Sequence, residues 1–324
     1  MLRRRALMST ALAVLAAPGA RAAPSLRIGV LRFGSFSWEL DVIRRHGFDR
    51  LAGIALATHE YAGSPAAQVA LQAGEVDMIV QDWLWVSRQR TSGADWSFFP
   101  FSNALGALVV PSTSKIHGLP DLAGRQLGVA GSPLDKSWII LRAYAERHDK
   151  FDLARETRPS FGAPALLAQE LDSGRLDAML TFWPFAARAE AAGMRRVLNM
   201  AEAVAGLGIP PGAPFVGYVF SARWAAGNKA LLDGFLAAAA RAQALLESSD
   251  DEWRALAPLT RAQTPAELTL LRDYYRAGIP RAWGKSEETA AAALYDVLAA
   301  TGGVALVGPA KTVAPGTFWP TGLS

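Results

Sequence analysis

Two short stretches carry residue types that could hold a small anion. Residues 131–138 read GSPLDKSW. Ser132 suits an N-cap, Pro133 the first helical position and Asp135 the third, so a helix is expected to start here. Free N–H groups at a helix N-terminus attract anions, and Lys136 adds positive charge beside them. Plain capping is the competing reading; both can hold, because caps use only some of the N–H groups. Residues 33–38 read FGSFSW and follow an apolar run, SLRIGVLRF. Phe33, Gly34, Ser35 and Trp38 are candidate ligand contacts there. Ser35 and Ser37 offer hydroxyls and N–H groups; Phe33, Phe36 and Trp38 offer aromatic faces. A helix start with its aromatics in the core is the alternative.

A third pattern is an echo. Residues 71–83 read LQAGEVDMIVQDW and residues 171–183 read LDSGRLDAMLTFW. Leucine, glycine, aspartate and tryptophan fall at the same offsets. Each copy follows an Ala/Leu-rich amphipathic stretch closed by glycine, then a polar turn and an apolar run too short for a helix. That is helix, turn, buried strand, with the tryptophan just past the strand end. Ligand contacts in open α/β sheets cluster beyond the carboxyl ends of strands. Gln81, Asp82 and Trp83 follow one strand, and Thr181, Phe182 and Trp183 the other. Tyr218, in a later extended run, is a further candidate. Aromatic side chains are also ordinary core, so packing competes with contact at every one of these positions.

The signatures of catalysis and metal binding fail. His46, His59, His117 and His148 have no metal-ligand spacing. No G-x-S-x-G occurs, and no cysteine exists for thiol chemistry. GIPRAWGKS ends like a P-loop, but its first glycine is one residue too far from Gly284. GLGIPPG puts two prolines where a dinucleotide loop would enter a helix. No catalytic residue, metal or cofactor is expected.

The elements that must position the candidates alternate strand and helix. Strand 25–33, a helix after GSFSW and strand GIALATHEY lead into the first echo. DLAGRQLGVAGSPLDKSWIILRAYAERH restarts the grammar before the second. This predicts two α/β blocks with parallel sheets, about 25–105 and 113–212. Extended runs at 103–112 and 214–222 bracket the second block, as two crossings between lobes would. The remainder is helical: one long helix, then one opening on a capping box, Thr264 with Glu267 and Pro265, and one running from Ser286 to glycines.

The chain opens MLRRRALMSTALAVLAAPGARAAP. Three arginines, a short apolar stretch and Ala20-Arg21-Ala22 fit a cleaved export signal over 1–22. The leader holds four of the 33 basic residues and no acid, so the remaining 302 residues balance 29 bases against 29 acids. That gives no case for nucleic acid as a partner. No later segment reads as membrane-spanning, and without cysteine neither a disulfide nor a lipoprotein anchor is available.

SLRIGVLRF, LQAGEVDMIV, IHGLPDLAGRQLGVAGS, LDSGRLDAML followed by Trp183-Pro184, and SARWAAGNKALLDGFLAAAARA occur in this order. Together they resemble the periplasmic substrate-binding proteins of ABC importers for nitrate, sulfonates, taurine and thiamine precursors. The resemblance implies an α/β, type II-like fold of two lobes with two crossing hinge strands and a ligand cleft between them. Lobe 1 would comprise 23–107 and 214–324, and lobe 2 108–213. It implies a periplasmic protein, not an enzyme, that closes on a small-molecule ligand and delivers it to an importer permease, with no membrane insertion after signal removal. Aromatic strand ends suit a ring or alkyl chain, and helix N-termini suit sulfonate, phosphate or carboxylate. Trp183 departs from the family, many of whose members place a glutamate there. The alternative is an enzyme on the same scaffold, resembling chorismate dehydratase or the thiamine-pyrimidine synthases; a leader speaks against both, and the lack of cysteine further against the synthases.

Overall fold

The computed structural model describes residues 23–32 and 34–320, so the leader and Phe33 lie outside the described residues. The first block runs β1 (Ser25–Leu31), α1 (Phe36–His46), α2 (Phe48–Leu51), β2 (Ala55–Tyr61), α3 (Ser64–Gln72), β3 (Met78–Asp82), α4 (Trp83–Thr91) and β4 (Trp96–Ser102). The second runs β5 (Ala107–Val110), β6 (Gln126–Ala130), α5 (Lys136–Asp149), α6 (Leu153–Glu156), β7 (Arg158–Gly162), α7 (Pro164–Asp172), β8 (Ala178–Thr181), α8 (Trp183–Ala191), β9 (Arg195–Asn199) and α9 (Met200–Gly206). Then come β10 (Val216–Ser221), α10 (Ala222–Gly227), α11 (Lys229–Ser248), α12 (Asp250–Thr260), α13 (Pro265–Ala277) and α14 (Lys285–Val307).

The strands form two five-stranded sheets, ordered β2-β1-β3-β10-β4 and β7-β6-β8-β5-β9. In each, three parallel strands are continued by an antiparallel one, β10 in the first and β5 in the second. The chain passes between the sheets twice, from Ser102 to Ala107 and from Gly206 to Val216. The first crossing is shorter than the expected 103–112 and the second lies earlier than the expected 214–222, because β5 and β10 already pair inside their sheets. Gly106 is required at the first: a Cβ there would lie 1.6 Å from the carbonyl oxygen of Thr181.

Alternation along the strands sends side chains to two cores, one on each face of both sheets. Ile79, Val219, Leu108, Val129 and Leu180 join the core under α3, α4, α5, α9 and α14. Met78, Tyr218, Phe220, Val109 and Met179 join the core under α1, α7, α8, α11, α12 and α13.

The echo is the unit α3–β3–α4 repeated as α7–β8–α8, and its shared residues have local work. Gly74 and Gly174 hold φ +71° and +74°, the left-handed conformation that ends each helix. Asp77 and Asp177 each take a backbone N–H of the neighbouring strand, from Arg27 at 2.9 Å and from Gln126 at 2.8 Å. They pin the starts of β1 and β6. Leu71 and Leu171 are buried beneath their helices.

The C-terminal helices touch both sheets' coverings. α11 and α12 pack on α1, α13 on α8 and α14 on α5. Thr264 caps α13 by accepting from the Glu267 N–H, as the motif predicts, while the Glu267 carboxylate reaches Gln263 N. α14 starts at Lys285 and breaks at Gly303, φ +63°, the second of the two glycines where the sequence reading ends it, before a last turn to Val307. By length and composition it could cross a membrane, contrary to the sequence reading, which alanine richness misled. Here it packs through Ala290, Ala291, Leu294, Tyr295 and Leu298, all buried.

Candidate ligand-binding site

The two tryptophans of the echo do not face each other. Equivalent units pack into different cores, α4 in one and α8 in the other. Trp83 is wholly buried between Tyr295 and Phe318, and its Nε1 donates to the Pro214 carbonyl at 2.7 Å. Trp183 is 9% exposed and meets Trp38 and Tyr275 edge to face. Tyr218 points into the core beside Phe36, Phe101 and Phe235, and its hydroxyl donates to buried Glu39. Gln81 is buried and accepts from the Asp82 N–H.

One helix start differs from the sequence reading. Asp135, not Ser132, is the N-cap of α5: its carboxylate accepts from Ser137 N at 2.8 Å. Gly131 at φ +98° turns the chain, and Ser132 to Asp135 closes a tight turn in which the Ser132 hydroxyl accepts from Leu134 N. Helix α4 is capped likewise by Asp82, which accepts from Trp85 N. The other Asp82 oxygen lies 3.3 Å from Lys136 Nζ, joining the two sheets. Burial pushes the Asp135 carboxyl up, against the pull of Lys136. On this side of the cleft the positive helix ends and Lys136 already have carboxylates of their own.

The other side has no carboxylate at its helix starts. Helices α1, α7 and α8 have no side-chain cap. Their first turns contribute Ser37 and Trp38, Ala165, and Pro184 and Phe185 to a cavity of about 300 Å³ completed by Arg32, Arg188, Leu259, Thr260 and Arg261. The positive ends of three helices and three guanidinium groups border this space, and no acidic side chain lines it. Arg188 is braced: it reaches Glu267 at 2.9 Å and the carbonyls of Pro184 and Thr260. Arg32 pairs with Glu60 at 2.8 Å with both side chains about half exposed, so that pair is weak and exchangeable. Trp38 and Phe185 give the cavity apolar walls.

Of the candidates read from sequence, Trp38 lines this cavity. Gly34 and Ser35 directly precede the first turn of α1, and Thr181, Phe182 and Trp183 lead into Pro184. Gln81, Asp82, Trp83, Ser132 and Lys136 lie on the capped side or in its core, and Tyr218 in the other core. Sequence reasoning missed Arg188, Thr260 and Arg261, which helix packing brings together. The uncapped start of α7 had a readable sign in Ala163-Pro164-Ala165, which offers no capping oxygen.

No family model matches the chain, and no curated protein matches it. Solved structures do. The periplasmic aliphatic sulphonate binding protein SsuA from Escherichia coli superposes with a TM-score of 0.73 at 21% identity, covering 93% of this chain and 94% of that one. The alkanesulfonate-binding protein SsuA from Xanthomonas axonopodis pv. citri, bound to MOPS, gives 0.70 at 18% over 93% and 99%. A desulfurization enzyme, DSZB, gives 0.62 at 14% over 86% and 92%. The chain has the two-lobed α/β fold of the periplasmic substrate-binding proteins of ABC importers.

Proposed function

We propose that the protein captures a small organic anion of the sulfonate type, with an apolar or aromatic body, by closing its lobes, and delivers it to an ABC importer permease. The observation that carries this is the convergence of three uncapped helix starts and three arginines on a cavity without acid. The division into lobes, 23–107 with 214–324 and 108–213, belongs to the same proposal. So does export to the periplasm with a cut after Ala22, for which intact mass should show an N-terminus at Ala23.

The reading is of a binder rather than an enzyme. The cavity supplies donors and charge, its Ser37 hydroxyl donates to the Gly34 carbonyl, and no histidine lines it. Calorimetric titration with MOPS, ethanesulfonate and ethylamine tests the charge. The sulfonates should bind and ethylamine should not; binding of the amine alone would reject the proposal.

A further inference from the structure

We propose that Glu267 is a positioning residue for ligand capture: it holds the Arg188 guanidinium in the orientation that meets the anion. The assignment rests on the anion-binding reading above. Glu267 is first of all the capping-box residue of α13. Its N–H donates to Thr264 Oγ1 at 3.1 Å, and one carboxylate oxygen, Oε2, accepts from Gln263 N at 2.9 Å. Capping needs no more than this. The other oxygen, Oε1, is buried, takes no hydrogen bond from its own helix and faces Arg188 Nε at 2.9 Å. The Glu267 side chain is 9% exposed and that of Arg188 31%, so the pair is covered on its acidic side and open on its basic side.

The Arg188 fork is held at every nitrogen. Nη1 donates to the Pro184 carbonyl of its own helix at 3.0 Å, Nη2 to the Thr260 carbonyl at the end of α12 at 2.8 Å, and Nε faces Glu267 at the start of α13. Each terminal nitrogen of a guanidinium carries a pair of N–H groups, so one on each is left over. Arg188 lines the cavity. The leftover N–H groups are what it can offer to an anion bearing several oxygens on one centre. A fork fixed before the ligand arrives loses less side-chain freedom on binding.

The echo supplies a comparison. Arg88 stands on α4 where Arg188 stands on α8, five residues past the tryptophan in each copy. Arg88 reaches a single carbonyl, that of Leu306 at 3.3 Å, and among the described residues it pairs with no carboxylate. Packing a helix at this position therefore does not call for an ion pair. The brace belongs to the copy whose arginine lines the cavity.

Glu267→Gln tests this, because glutamine also serves in a capping box but brings no charge to Arg188. Calorimetric titration with MOPS and ethanesulfonate compares the wild type, Glu267→Gln, Arg188→Met and the double variant, at a temperature where thermal melts show all four folded. We expect about tenfold weaker binding in Glu267→Gln, and no further loss when it is added to Arg188→Met. Unchanged binding in Glu267→Gln would overturn the assignment. Tighter binding would do so too, since the carboxylate would then act only as a countercharge. An equal loss with and without the Arg188 side chain would mark a structural defect and also overturn it. Should Glu267→Gln not fold, Arg188→Lys keeps the charge and its partner but has no fork; about tenfold weaker binding supports the assignment and wild-type affinity overturns it. Failure of the wild-type protein to bind either sulfonate would overturn the anion-binding reading, and this assignment with it.

Discussion

The indoles of Trp38 and Trp183 meet edge to face, ring centroids 5.8 Å apart and planes at 86°. One stands on a helix of the first sheet, the other at the start of a helix of the second. Trp253 and Tyr275 complete the cluster around Trp38. Trp183→Ala should cost about 3–5 kcal/mol of stability, since the surroundings cannot fill the space of an indole. The lost contact between lobes should also weaken sulfonate binding by about tenfold. Urea unfolding and calorimetric titration of one variant read both. Normal binding by a destabilised variant would reduce Trp183 to core alone.

The Asp82–Lys136 pair ties β3 to the start of α5, with each side chain about one-fifth exposed. Lys136→Met should shift the empty protein toward open forms by about 1 kcal/mol, roughly fivefold in population. The chain has no cysteine, so spin labels at Arg50→Cys and Arg155→Cys would report the lobe separation without background. The longer distance should grow in the variant. In the parent it should grow with added salt, and in the variant it should not.

Glu39 is buried, accepts from Tyr218 at 2.6 Å and from Gln243 at 2.9 Å, and is pushed up by burial to about 8. The folded state holds this proton where the unfolded chain has lost it. The contribution of Glu39 to stability is therefore greatest below the ordinary carboxylate range and is lost as pH rises toward about 8, by up to about 1.4 kcal/mol per pH unit for one proton. Glu39→Gln should flatten that slope in urea unfolding between pH 5 and 9. An equal slope in the variant would assign the titration elsewhere.

Asp77 and Asp177 perform the same backbone task in the two sheets, but Asp77 also grips the Arg27 guanidinium. Its side chain is 8% exposed, against 37% for Asp177. Asp77→Ala should cost about 2–3 kcal/mol, and Asp177→Ala about 1 kcal/mol, because solvent can replace the second. Equal losses in urea unfolding would deny the difference in burial its role.

The echo was legible because its residues act locally. Glycine permits a left-handed turn, aspartate reaches the adjacent strand, and leucine lies under its own helix. The core that each copy joins was not legible. The two sheets share one strand order, so the copies hold equivalent faces of their own sheets, and the placing of one sheet against the other sends those faces to different cores. So two matching tryptophans suggested one shared cleft, while Trp83 and Trp183 lie in different cores. The start of α5 was misplaced by three residues because Ser132 and Asp135 are both good caps. The turn at Gly131 decides between them. The braced Arg188 depended on Thr260 and Glu267, more than seventy residues away, whose approach no local pattern encodes.

The starts of α4 and α5 carry carboxylate caps and the Asp82–Lys136 tie, while those of α1, α7 and α8 carry no side-chain cap. On the anion-binding proposal, recognition and mechanics are thereby uncoupled within a single crevice. Altering the first turns of α1, α7 and α8 should retarget the cargo while the closing stroke, and any optical reporter attached to it, carries over intact.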